Sequence, residues 1–225
     1  METSMANLNI QSTVKLNNDV RMPILGLGVY QSPPGRVTRN AVNFALRVGY
    51  RHVDTARIYG NEADVGEAVR ESGVPREDLF VTTKLWNSDQ GYDSTLRAFE
   101  GSLKRLGLDY LDLYLVHFPV PDVRKETWSA METLLKKERC RAIGVSNFTI
   151  RHLEELIEES HVIPSVNQVE LHPFLYQKEL LKYCQDRGIQ VEAYSPLARG
   201  ERLQDPRIAS LATKYSKSPA QLMVR

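Results

Sequence analysis

Short apolar runs alternate with longer amphipathic stretches along most of the chain. The runs fall at residues 24–29, 50–54, 79–84, 111–117, 141–147, 166–171 and 190–195. They are short, β-branched or Leu-rich and nearly continuous, as strands buried on both faces are. Between them, apolar positions recur at helical spacing. Val37, Ala41, Phe44, Ala45 and Val48 predict one helix face, and Leu96, Phe99, Leu103 and Leu106 a second. Leu153, Leu156 and Ile157 predict a third, with Thr149 as its cap. Leu180, Leu181 and Cys184 predict a fourth. Asn61 is a candidate cap for a helix over residues 61–72, with Pro75 closing the loop that follows.

The order is therefore βα, repeated. Parallel strands need such crossovers, so the class is α/β. An open doubly wound sheet requires a glycine-rich turn that opens a helix. Gly26-Leu27-Gly28 lacks the third glycine, and no phosphate-binding loop of the Walker type is present. A barrel instead requires polar residues at the C-terminal ends of many strands. Asp54, Lys84, His117, Ser146-Asn147, Gln168-Glu170 and Tyr194-Ser195 satisfy that requirement. The sequence thus predicts a (β/α)8 barrel in a single domain over residues 1–225. Only seven strands are found, and residues 219–225 read as the opening of a helix capped by Ser218 or Pro219. The expected barrel is incomplete at the C-terminus. It lacks the eighth βα unit and the loop beyond it, and its two free edges favour association.

Charge and composition narrow the partners. With 29 Lys and Arg against 28 Asp and Glu, the net charge is +1. No whole-chain attraction to nucleic acid or to an acidic membrane follows from that balance. No apolar run is long enough for a membrane span, and residues 1–16 lack a signal peptide's apolar core. Cys140 and Cys184 are too few for a disulfide framework and fit buried thiols in a reducing compartment. The expected location is the cytoplasm. Asn147-Phe148-Thr149 is a glycosylation sequon, relevant only to a secreted chain.

The charged residues at the strand ends carry the candidate chemistry. Asp54 and Lys84 end strands that are adjacent in sequence, and a lysine in a barrel mouth needs such a partner. His117 ends a third strand, and Tyr59 lies in the loop after Asp54. A tyrosine with an ordinary pKa near 10 is a poor acid at neutral pH, and a neighbouring ammonium lowers that value. Aspartate then holds the lysine and histidine orients a carbonyl. This set is a general-acid device for an oxygen that becomes negative under hydride attack. Each residue alone also fits an ordinary structural role.

Several segments resemble the aldo-keto reductase family. They are Gly26-Leu27-Gly28-Val29-Tyr30, residues 49–56 (Gly-Tyr-Arg-His-Val-Asp-Thr-Ala), Tyr59-Gly60-Asn61-Glu62 and Thr83-Lys84-Leu85-Trp86. Residues 113–119, Ile143-Gly144-Val145-Ser146-Asn147-Phe148, Asn167-Gln168-Val169-Glu170 and Tyr194-Ser195-Pro196-Leu197 complete the set. They run in order along nearly the whole chain, and the short connection after His117 is most similar to small reductases of glyoxals and diketogluconate. The resemblance implies an N-terminal β-hairpin, matched by Val14-Lys15-Leu16 and Arg21-Met22-Pro23 around Asn17-Asn18-Asp19. It implies NADPH-dependent reduction of small aldehydes and ketones by a monomer, with no metal. By position, Tyr59 matches the general acid, Lys84 and Asp54 the pair that tunes it, and His117 the carbonyl-orienting residue. Ser146, Asn147 and Gln168 match residues that bond the nicotinamide amide. Tyr194 matches the ring that stacks on the nicotinamide, and Ser195 and Leu197 match contacts toward the pyrophosphate. Tyr30, Trp86 and Phe118 match the substrate mouth, where many relatives have tryptophan at the position of Phe118. The lysine-serine pair and arginine that grip the 2′-phosphate have no counterpart here, and Lys217-Ser218 is not that pair. Two other readings remain open at this point: a non-enzymatic binding or structural role for the same barrel, and a truncated variant that is catalytically weak or inactive.

Overall fold

A computed structural model describes residues 8–225. A two-stranded antiparallel hairpin comes first, β1 (Thr13–Lys15) paired to β2 (Arg21–Pro23). Asp19 in its turn adopts a left-handed φ of 68°. Strands β3 (Gly26–Gly28), β4 (His52–Asp54), β5 (Phe80–Leu85), β6 (Leu111–Val116), β7 (Cys140–Ser146), β8 (Val166–Glu170) and β9 (Gln190–Tyr194) follow. They form one parallel sheet in sequence order, with β3 and β9 as its outer strands. Helices α1 (Arg36–Arg47), α2 (Glu62–Glu71), α3 (Tyr92–Leu106), α4 (Arg124–Lys136), α5 (Ile150–Glu159) and α6 (Lys178–Asp186) are the crossovers, with α7 (Pro206–Lys214) and α8 (Pro219–Val224) beyond β9. This is a nearly closed (β/α) barrel of seven strands, as the polar strand ends predict. No helix among the described residues is long and apolar enough to cross a membrane.

Two apolar layers hold it together. The larger lies between sheet and helices and includes Val42, Val65, Val81, Phe99, Tyr114, Trp128, Ile143 and Leu153. The smaller lies at the barrel's floor. There Leu16 and Met22 of the hairpin meet Phe80, Leu113, Leu115, Ala142 and Val166. Polar bonds fasten the hairpin to this floor. Asn17 donates to the Pro164 carbonyl and accepts from Ser165 Oγ, and Asn18 donates to the Arg141 carbonyl. The hairpin therefore closes one end of the barrel, and the polar strand ends are left at the other.

The structure corrects two local expectations and adds two helices. Helix α1 buries Thr38, Val42, Ala45 and Leu46, while Val37, Phe44 and Val48 are exposed. The two sets are overlapping helical stripes one residue apart, and packing against the sheet and α2 selects the one containing threonine. Thr38 Oγ1 makes that burial tolerable by bonding the Pro33 carbonyl at 2.7 Å. Asn61 does precede α2, but its side chain caps nothing. Helix α4 shows no apolar stripe in the sequence because Thr127, Trp128 and Ala130 share its buried face with Met131 and Leu134. Helix α7 buries only Ile208 and Ala212. Thr149 and Ser218 cap α5 and α8 as expected, each in a reciprocal capping box. Cys140 and Cys184 are free and buried.

Candidate active site

Alternation along β5 sets the chemistry. Successive side chains point to opposite faces, so Val81 and Thr83 meet the helix layer while Lys84 points into the barrel. Lys84 is 1% exposed. Its ammonium is held by an ion pair with Asp54 at the end of β4 and donates to the Thr55 carbonyl at 3.0 Å. Burial alone pulls its pKa down, but Asp54 and Tyr59 outweigh that and leave it raised. Lys84 is therefore a stable cation.

Tyr59 sits in a short 3-10 turn, Arg57–Tyr59, after β4. Its hydroxyl is 3.5 Å from Lys84 Nζ. Here the structure reverses an expected direction. Burial raises the Tyr59 pKa more than Lys84 lowers it, so the phenol lies above its ordinary value. His117 follows directly on β6, with its ring 5.8 Å from that of Tyr59. Burial first, and then Lys84, lower its pKa to about 4. The imidazole is neutral at pH 7, and its Nδ1 is buried without a partner. Asp54, Tyr59, Lys84 and His117 thus lie together at the mouth of the barrel.

Aromatic rings wall the pocket. Phe118 stacks on His117 at 5.2 Å and 17°, and Trp86 meets His117 edge-on at 5.2 Å. Tyr30, 63% exposed, lies 5.0 Å from Tyr59. All three predicted mouth residues therefore border the tetrad.

The opposite side of the mouth is built from neutral polar groups. Ser146 Oγ donates to the Gln168 carbonyl at 2.9 Å. Asn147, at a left-handed φ of 62°, donates to the His117 carbonyl and to Ser146 Oγ. Tyr194 donates its hydroxyl to Asn147 Oδ1 at 2.9 Å. Gln168 reaches across the barrel and donates to Asp54 Oδ2 at 2.9 Å. This set and the tetrad are therefore one connected polar network. Ser195, at φ 48°, begins the loop after β9. Leu197 packs against a small separate cluster of Ala198, Ile208 and Met223. Among the described residues, no hydrogen bond or ring contact joins Ser195 or Leu197 to the tetrad.

Sequence reasoning missed two ionisable residues below Asp54. Glu192 Oε1 lies 3.9 Å from His52 Nε2, and burial raises the carboxyl pKa. A charged residue inside the predicted strand at 190–195 was the available signal. Among the described residues, no cluster of His, Cys, Asp and Glu is suited to a metal.

Together, the barrel and its mouth define an enzyme-like scaffold with charged groups at the C-terminal strand ends. Comparison with known proteins gives the family. The aldo/keto reductase family matches residues 25–205, and the chain belongs to that family. It is 53% identical to the glyoxal reductase of Bacillus subtilis over 96% of this chain and 79% of that protein. It is 52% identical to a 9,11-endoperoxide prostaglandin H2 reductase of Trypanosoma cruzi, over 94% of this chain and 76% of that one. Among solved structures, an aldo/keto reductase from Brucella melitensis superposes with a TM-score of 0.91 at 52% identity. That match covers 95% of this chain and 82% of the other. An aldo-keto reductase of Bombyx mori in complex with NADP superposes with a TM-score of 0.87 at 40% identity, covering 94% and 78%. The chain is thus an oxidoreductase of the carbonyl-reducing kind.

Proposed function

We propose that this chain reduces small aldehydes and ketones with NADPH, with Tyr59 as general acid. The observation that carries this reading is the buried Lys84 ammonium, held by Asp54 and the Thr55 carbonyl, 3.5 Å from the Tyr59 hydroxyl. Residues 1–225 act as one domain in this reading.

The neutral donors and acceptors of Ser146, Asn147 and Gln168 fit a carboxamide, and the Tyr194 ring fits a flat heteroaromatic face. Gln168 gives an N–H to Asp54 and also bonds the Glu192 carboxyl, and its amide oxygen would serve a ligand. These four residues would hold the nicotinamide, with Ser195 and Leu197 further along it. NADPH supplies, when bound, the hydride that the carbonyl carbon receives. The substrate's C–O π electrons then move to oxygen, and Tyr59 gives that oxygen its proton. The resulting phenolate is stabilised by the adjacent Lys84 cation, and solvent returns the proton. Neutral His117 donates a hydrogen bond that orients the carbonyl without competing as an acid. Tyr30, Trp86 and Phe118 would line the substrate's approach beside the acid.

Two unpaired thiols fit a reducing cytoplasm, and a net charge of +1 fits a small carbonyl compound as partner better than nucleic acid. The decisive variant is Tyr59→Phe. It removes one hydroxyl and should lower kcat by about 10² to 10⁴ with NADPH affinity kept. Turnover at the unaltered rate in that variant would sink the mechanism. The half-exposed mouth favours small substrates, and steady-state rates on methylglyoxal and other short aldehydes test that class.

A further inference from the structure

Tyr59 and Lys84 lie on separate segments, a 3-10 turn and strand β5, so some other group has to fix their spacing. We infer that Asn61 and Glu62 are positioning residues that clamp the Tyr59 turn to β4 and β5, an inference that rests on the reading of Tyr59 as the acid.

The contacts run to the neighbours of Lys84 rather than to Lys84 itself. Asn61 is fully buried. Its Oδ1 accepts from Thr55 Oγ1 at 2.7 Å, and the Thr55 carbonyl is the one that receives the Lys84 ammonium. Its Nδ2 donates to the carbonyls of Val29 and Ser32, at 3.0 and 3.2 Å. Asparagine before a helix ordinarily caps that helix. Here the cap is given up, and the side chain ties the loops after β3 and β4 together.

Glu62 is 1% exposed. Its Oε1 accepts from Thr83 Oγ1 at 2.7 Å, and its Oε2 accepts from Arg105 Nε at 2.6 Å. Thr83 immediately precedes Lys84 on β5 and faces the opposite side of the strand. A carboxylate so deeply buried is costly unless both oxygens are satisfied, and here both are. Gly60, between Tyr59 and these anchors, takes a left-handed φ of 71°. It lets the chain turn from the phenol in the pocket to side chains in the helix layer. The phenol and the lysine are thus referred to one frame from behind, by groups that do not enter the pocket.

The test uses Thr83→Val, which removes the hydroxyl that Glu62 receives, and Glu62→Gln, which keeps the shape and removes the charge. Thr83→Ser is the conservative rescue and Tyr59→Phe the control. With methylglyoxal and NADPH, Thr83→Val and Glu62→Gln should lower kcat by about 10- to 100-fold, because small misplacements of reacting groups cost rate on that scale. KM and the NADPH dissociation constant should stay within about twofold, the pattern of a contribution made in the transition state. Thr83→Ser should restore the rate lost in Thr83→Val. Unaltered kcat in both variants would overturn the inference. So would losses of kcat, KM and cofactor affinity that all track a falling thermal midpoint. An active Tyr59→Phe overturns the acid reading instead.

A second measurement needs no turnover. The alkaline ultraviolet titration of Tyr59, isolated by difference from Tyr59→Phe, should move in Thr83→Val and return in Thr83→Ser. An unmoved titration overturns the clamp. No turnover by the unaltered chain overturns the acid reading, and the titration then judges the clamp alone.

Discussion

The two sides of the barrel mouth are made differently. On the side of β4, β5 and β6, every strand residue is buried, and the key groups are ions or acids. Asp54, Lys84 and Tyr59 are held there by one another. On the side of β7 and β8 the groups linked to Tyr194 are neutral amides and hydroxyls, those of Ser146, Asn147 and Gln168, and Ser146 and Gln168 are buried as well. The two sides therefore differ in charge more than in burial. Charges buried in advance keep their orientation when substrate arrives, as electrostatic catalysis requires. Neutral amides can exchange one partner for another at small cost, as reversible binding requires. That difference in charge fits the proposed division between chemistry and binding.

The largest effect should come from breaking the charged side. Lys84→Met fills similar space but leaves the Asp54 carboxylate with Gln168 and no cation. Breaking a buried pair by removing one partner costs about 3–5 kcal/mol. Urea unfolding should show a loss of that order, together with a collapse of turnover. A loss below about 1 kcal/mol, the range of exposed pairs, would mean that the lysine is not held as a buried ion and would erase the contrast. The next effect acts on the scaffold behind the same side. A Cβ on Gly66 of α2 would lie 1.8 Å from the Leu106 carbonyl oxygen at the end of α3. Backbone blocks it, so the two helices must separate. Gly66→Ala should cost about 1–3 kcal/mol, the usual range for overpacking, and an unchanged unfolding midpoint would refute that close approach.

Much of this is legible in the sequence, for a physical reason. Strands β5, β6, β7 and β8 are buried on both faces and read as short apolar runs, so each is located to within a residue or two. Their polar ends mark Asp54, Lys84 and His117 because a charge closing an apolar run is costly unless it opens into a polar pocket. Helix α1 is misjudged because two overlapping stripes lie one residue apart, and packing against the sheet and α2 chooses the one containing Thr38. The bonds of Asn61 are invisible because its acceptors, Val29 and Ser32, are backbone carbonyls of a distant loop. The direction of the Tyr59 shift is misjudged because the sequence shows that a lysine is near but not how much water is excluded.

That last point gives a sharper test of the charged side. Burial raises the Tyr59 pKa above 10.0 despite the adjacent Lys84. The phenol is the active, protonated form below its pKa, so raising that pKa extends activity upward in pH. Reductive kcat should be flat to about pH 9 and should fall only above the ordinary tyrosine value of about 10. A midpoint between about pH 6 and 8 would mean that Lys84 outweighs burial and that the site is wetter than its burial implies. At the acid end, His117, lowered to about 4, should stay neutral and active through about pH 5.

The smallest effect belongs to the binding side. Tyr194→Phe keeps the ring and removes only the bond to Asn147 Oδ1. Ordinary hydrogen bonds contribute about 0.5–1.5 kcal/mol, so NADPH affinity should weaken by no more than about tenfold. The ring should still stack, and kcat should change little, since Asn147 keeps its bonds to the His117 carbonyl and to Ser146 Oγ. Fluorescence titration with NADPH and a parallel kcat measurement check both halves. If kcat falls as far as in the variants of the Tyr59–Lys84 side while affinity holds, Tyr194 acts on the chemistry. The network from Asn147 to His117 would then be the route, and the two sides of the mouth would have to be described as one.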